Sequence, residues 1–237
     1  MFNRTTLIVL AVALAAALGL IAAQKILAPP APEGLPQTSA ITLFPQPREL
    51  PDFNLRQSDG TPLVPGELHG HWTVVFIGFT FCPDVCPMTL AELAQAQRQL
   101  EDIPEGIRPR VLFISVDPER DSPERIGEYL TAFHPDTIGA TADLPHLEEV
   151  TRSMSLVFMK VPPPEGARPD QYSIDHSSAM AVLDPQARMA GVLQGPLDPA
   201  AIAADLRMLT EASRRSPRPD GSRHRTDPGA AAPAQRH

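Results

Sequence analysis

Cysteine is almost absent from this chain. Its 237 residues hold two, and both fall within one stretch, Thr80-Phe81-Cys82-Pro83-Asp84-Val85-Cys86-Pro87-Met88-Thr89. So few exclude a disulfide-stapled scaffold, and a bridge between these two would close too small a loop to stabilise much. Positive charge is also scarce where a folded body would lie. The whole chain carries −8, residues 1–25 carry +2 and the tail from Ser213 carries +4, which leaves −14 between them. An acidic body of that kind excludes nucleic-acid binding, which needs a basic face to neutralise phosphates, and fits a basic protein partner or plain solubility. Internal repeats are missing as well, so a solenoid is excluded.

Hydrophobic residues, by contrast, make up 43% of the chain, enough for one ordinary domain of about 170 residues once the ends are set aside. Residues 1–27 hold Arg4, an unbroken apolar run from Leu7 to Ala23, and Lys25. At ~1.5 Å per residue the run covers roughly 26 Å, nearly a bilayer's hydrocarbon, so an uncleaved membrane anchor is expected, with a cleaved signal peptide as the alternative. Either reading places the domain on the periplasmic or another extracytoplasmic side, where unprotected neighbouring thiols tend to oxidise. Residues 28–50 are proline-rich and read as a stiff spacer. Residues 213–237, rich in Arg, Pro and Ala, read as a disordered basic tail.

Between them, residues 51–212 form the domain. Phe53-Asn54-Leu55 before Ser58-Asp59-Gly60 predicts a β-hairpin ahead of the main body. Trp72 to Phe79 is an apolar run bounded by turn residues, as in a strand buried on both faces. Helical spacing follows from Pro87 to Glu101; proline suits a first helical position, so Cys82 to Cys86 should be a turn between strand and helix. The alternation repeats with a strand at Val111–Val116, a helix opening at Asp121-Ser122-Pro123-Glu124 and running to about Phe133, a short strand near Ile138 and a helix opened by Asp143. A strand at 156–161, a polar loop from Pro162 and a hairpin of Ala179–Leu183 with Met189–Gln194 come next, and a last helix starts at Asp198-Pro199. The series implies an α/β fold with a largely parallel sheet completed by an antiparallel hairpin.

A cysteine pair after a buried strand and before a helix lies where open α/β sheets carry their sites, and a helix start favours thiolate over thiol. Thiol-disulfide chemistry usually spaces its cysteines by two residues, and here the spacer is three; a metal site needs a further ligand. Of seven histidines, His224 and His237 lie in the tail, His69 and His71 at the wrong end of the first strand, and His134 and His146 at helix ends, where they read as exposed or capping. His176 follows the long polar loop, which could carry it to the cysteines. Met88 reads as core filler rather than a ligand. Asp84 reads as a turn cap or a contact for a basic partner.

Three segments, Cys82-Pro83-Asp84-Val85-Cys86-Pro87, Val116-Asp117-Pro118-Glu119-Arg120-Asp121 and Asp175-His176-Ser177, resemble in order and spacing the Sco/SenC family of membrane-tethered, thioredoxin-like copper proteins. The resemblance spans roughly residues 50–209. It implies a thioredoxin-like fold, copper held by Cys82, Cys86 and His176, and a role in delivering copper to, or keeping reduced the cysteines of, the binuclear copper site of cytochrome c oxidase. The copper-site subunit of the oxidase is then the partner, with other copper chaperones or thiol reductants beside it. Two thiolates and an imidazole suit Cu(I), with Cu(II) as the second form, and leave a coordination position open to an incoming ligand. Asp117 and Asp175 are candidates to orient the site from outside the ligand set. Cys82 and Cys86 as a redox-active pair in a thiol-disulfide oxidoreductase are the competing reading; no separate sign of a peroxide pocket supports a peroxidase.

Overall fold

The structure is a computed structural model that describes residues 36–215. Its framework is an eight-stranded mixed sheet. In chain order the strands are β1 (Ile41–Arg48), β2 (Leu55–Gln57), β3 (Pro62–Leu63), β4 (Thr73–Gly78), β5 (Arg110–Ser115), β6 (Thr137–Thr141), β7 (Phe158–Val161), β8 (Ser173–His176), β9 (Met180–Leu183) and β10 (Met189–Leu193). The helices are α1 (Val85–Arg98), α2 (Pro123–Leu130), α3 (Leu144–Ser153) and α4 (Pro199–Arg215). The sheet runs β1-β10-β9-β4-β5-β6-β2-β3, while β7 and β8 pair only with each other in a separate ribbon.

Parallel pairing holds β4 to β5 and β5 to β6, and the other neighbours are antiparallel. Every residue of β4 is buried, which explains its unbroken apolar sequence: both faces of this central strand are covered. On one face Val74 and Val111 meet Leu93, Ala96 and Leu100 of α1 and Ile202 and Leu206 of α4. The α2 helix lies so close to β6 that a Cβ on Gly139 would fall 2.5 Å from Ile126 and 2.6 Å from Leu130. Its start is capped by Ser122, whose hydroxyl accepts from the Arg125 amide, and α3 is capped likewise by Asp143.

Four expectations are corrected. Residues 41–48 are not spacer but edge strand β1, paired with β10; Pro45 and Pro47 are tolerated because the register slips between Leu43 and Arg48 and the outer side of an edge needs no donor. The predicted hairpin exists as β2 and β3, turned at Gly60 with φ +87°, but it is no extension: β2 pairs with β6, and β3 beyond it forms the far edge of the sheet. The α1 helix starts at Val85, so Cys86 sits in its first turn rather than in a turn before it. Pro87 permits this because the first four amides of a helix have no partner within it. The α4 helix continues to Arg215 and so includes the first residues assigned to the tail. The anchor expected at residues 1–27 and the rest of the expected tail lie outside the described residues. Among the described residues no helix is long and apolar enough to cross a membrane.

Asp205 of α4 ties the start of β1 to the body. Its carboxylate, 2% exposed, accepts the backbone N–H groups of Ser39, Ala40 and Ile41 at 2.7–3.0 Å.

Candidate metal centre

The cysteines stand at the carboxyl end of β4. Gly78 ends that strand, and a Cβ there would fall 2.9 Å from both Cys86 Sγ and Phe113 Cε2. The missing side chain is therefore what lets the buried thiol lie against the sheet. Next, Thr80 is held by Asp121, a 1%-exposed carboxylate that accepts from the Thr80 amide at 2.8 Å, the Thr80 hydroxyl at 2.6 Å and the Ser115 hydroxyl at 2.6 Å. Cys82 is half-buried and Cys86 buried, both as free thiols. The Cys86 amide donates to Cys82 Sγ at 3.4 Å, as the free N–H groups of a helix start allow.

His176 comes in from the β7–β8 ribbon, ninety residues along the chain, with Nε2 3.5 Å from Cys86 Sγ. Its Nδ1 lies 3.0 Å from the Ser177 carbonyl. A carbonyl only accepts, so in the neutral ring Nδ1 carries the proton and Nε2 turns its lone pair to the sulfur, which donates its S–H. Phe76 and Phe79 meet the imidazole edge-on, with centroids at 5.8 and 6.3 Å. Burial pushes the Cys86 thiol pKa up far more than the nearby groups lower it. The expected thiolate-favouring effect of the helix start is thus outweighed by desolvation, and Cys86 stays protonated until something replaces its proton.

The donor set fits a soft metal. A thiolate sulfur and an imidazole nitrogen 3.5 Å apart would both serve as ligands of one soft or borderline ion such as Cu(I). As placed, no group of three His, Cys, Asp or Glu side chains among the described residues is gathered tightly enough to hold a metal. Cys82 Sγ lies against the Cys86 amide at 3.4 Å.

The remaining sequence candidates divide. Asp117 is buried and accepts from the Tyr172 hydroxyl at 2.7 Å and from Arg120 Nε at 2.5 Å, so it holds the loop beneath the site. Asp175 is exposed, on the opposite side of β8 from His176, and the ring is oriented by the Ser177 carbonyl instead. Asp84 occupies the N-cap of α1 without a side-chain capping bond. Met88 is not core filler: it is 61% exposed, and with Phe81 (46%), Val85 (52%), Val157 (66%) and Met159 (64%) it belongs to the exposed apolar side chains of the cysteine turn and the ribbon. His134, read as exposed or capping, is buried, with Nδ1 accepting from the Asp136 amide. His71 is buried against the Arg108 carbonyl at the far end of β4.

Sequence reasoning missed Asp121, Arg120, Tyr172 and Gly78. The first two had a signal, since they close the Val116–Asp121 segment. Tyr172 had a weaker one, four residues before His176.

Comparison with known proteins places the chain in a family. The family model described as SCO1/SenC matches residues 44–211. This chain belongs to the SCO1/SenC family. Among curated relatives, the mitochondrial SCO2 homolog of Bos taurus is 38% identical over 135 residues, which are 56% of this chain and 49% of that protein. The chain thus spans about half the length of that relative. Among solved structures, Arabidopsis thaliana ScoI with copper bound has a TM-score of 0.60 at 31% identity, covering 70% of this chain and 98% of that one. Yeast Sco1 with copper bound has a TM-score of 0.61 at 27% identity, covering 73% and 92%. The α/β fold with a mixed central sheet is that of these Sco proteins.

Proposed function

We propose that this protein binds copper through Cys82, Cys86 and His176, and delivers it to, or keeps reduced the cysteines of, the binuclear copper site of cytochrome c oxidase. The observation that carries this reading is the meeting of Cys86 Sγ and His176 Nε2 at 3.5 Å, made by elements ninety residues apart. Copper bound to Sco proteins of the same fold supports it. Cys82, half-buried at the edge, is the ligand a partner's donor reaches first, while Cys86 and His176 stay behind it. The exposed apolar side chains of the turn and ribbon suit a protein docking there. Residues 1–27 tether the domain on the extracytoplasmic side.

Anaerobic titration of the reduced domain with Cu(I) against a competing chelator tests the ligand set. His176→Ala should weaken binding by roughly a hundredfold, and Cys86→Ser at least as much. Unchanged affinity without His176 overturns the three-ligand site.

Thiol-disulfide exchange is the second reading, favoured by the unequal burial of the two free thiols. The Cys82 thiolate would attack a partner disulfide and release one partner thiolate; Cys86, passing its proton to His176 Nε2, would then attack Cys82 Sγ as a thiolate, freeing the second and leaving this pair oxidised. Cys86→Ser should trap the partner on Cys82, and a variant that traps nothing counts against this activity.

A further inference from the structure

His176 rides on a weakly specified element. The β7–β8 ribbon stands apart from the main sheet, and Met159 and Lys160, the central residues of β7, are both exposed. A two-stranded ribbon without a strong hydrophobic pattern on both strands is prone to slip, and a slip of one residue sends every side chain to the other face. In β8 that slip would put Asp175 where His176 now meets Cys86. Something else must set the register.

Tyr172, Ile174 and His176 alternate onto the inward face, with Tyr172 and Ile174 buried and Ser173 and Asp175 exposed between them. Tyr172 is fastened on three sides. Its hydroxyl donates to Asp117 Oδ1 at 2.7 Å. Arg120 Cζ lies 3.6 Å and Lys160 Nζ 3.8 Å from the ring centroid. Both cations thus lie within cation–π range of the one ring. The neighbouring backbone is held as well, since Arg120 Nη1 donates to the carbonyls of Asp170 and Tyr172. Lys160, opposite Ile174 in the ribbon, is paired with Glu119 at 2.7 Å. Asp117, Glu119 and Arg120 all lie in the loop after β5, and Asp121 of that loop also holds Thr80 ahead of the cysteines.

We propose that Tyr172 is the positioning residue of the site: clamped to the 117–121 loop, it fixes the register of β8 so that His176, and not Asp175, faces the cysteine pair. Its copper-binding consequence rests on the ligand set proposed above, but its structural content does not. One loop then references both arms of the site, the cysteine turn through Asp121 and the histidine ribbon through Tyr172.

The test uses Tyr172→Leu, which keeps an apolar side chain but loses the hydroxyl and the π-face, beside Tyr172→Phe, which keeps the ring for the two cations. In the metal-free reduced protein, the His176 ring protons should be shifted by the rings of Phe76 and Phe79. Tyr172→Leu should move them toward free-histidine positions and Tyr172→Phe should not. Cu(I) affinity should fall about tenfold in Tyr172→Leu and less than about threefold in Tyr172→Phe. Because Tyr172 acts through His176, the double variant Tyr172→Leu/His176→Ala should bind no more weakly than His176→Ala alone. Unmoved His176 resonances in Tyr172→Leu, or a tenfold loss that persists on top of His176→Ala, overturns the proposal. If His176→Ala itself leaves affinity unchanged, the ligand set fails, and the metal-free resonances alone decide the role of Tyr172. Asp117→Asn, read by the same resonances, serves if Tyr172→Leu does not fold.

Discussion

The two arms of the site are built differently. The cysteine turn springs from β4, buried on both faces, bonded on both edges and followed at once by a helix packed on the same sheet. The histidine comes from a two-stranded ribbon whose partner strand is largely exposed and which is held to the body by a clamped tyrosine and an ion pair. The thiols thus have a rigid seat and the imidazole a separable one. A centre that must both hold and surrender a metal can use that inequality, because one ligand can withdraw without disturbing the others.

The largest effect should come from breaking the rigid arm. Phe113, 0% exposed, lies 5.9 Å from Phe76 and shares the space over Gly78 with the Cys86 thiol. Phe113→Ala should cost about 3–5 kcal/mol in urea unfolding, whereas Met159→Ser on the exposed face of the ribbon should stay within about 0.5 kcal/mol. Similar costs for the two would dissolve the contrast. Native-state hydrogen exchange sharpens it next: amides of β7 and β8 should exchange at least about a hundredfold faster than those of β4 and β5, through an opening that leaves the sheet intact. Exchange of both sets only through global unfolding would make the ribbon part of the rigid body.

The smallest effect concerns Tyr129, whose hydroxyl is buried without a hydrogen-bond partner among the described residues. Burial raises its pKa above the ordinary tyrosine value of 10.0. Above that value the unfolded chain releases a proton the folded protein keeps, so stability is intact below about pH 10 and declines as pH rises past it. Tyr129→Phe should be at least as stable as the parent at neutral pH, within about 1 kcal/mol, and should lose stability less steeply under alkaline conditions. Equal slopes for parent and variant would show that the hydroxyl is satisfied after all.

Most of the framework was legible because its signals are local. An apolar β-branched run marks β4, and capping residues followed by proline mark α2 and α3. The strand read as spacer was missed because Pro45 and Pro47 hide a pairing that only an edge position permits. The start of α1 was misplaced because Pro87 was given the first helical position, although any unpaired amide of the first turn accommodates it. Within the candidate site, Cys82, Cys86 and His176 were named from the sequence, and the structure brings Cys86 and His176 together. The supports were not: whether Asp121 is a helix opener or a buried clamp depends on Thr80 and Ser115, which sequence does not show to be its neighbours. The same holds for Tyr172, whose meaning depends on two cations from separate segments.

The carboxylate of Asp205 also sets a line of approach. Thr42 stands in register with Val192, Val192 with Ala181 and Ala181 with Val75, three residues short of Gly78. Because β1 runs opposite to β4, the chain ahead of Ser39 arrives at the end of the domain that carries the thiols, and Asp205 pins it there. A tether attached through that segment would hold the thiol-bearing end toward the surface it is rooted in. Partners displayed on that surface would then be met without the domain having to turn over.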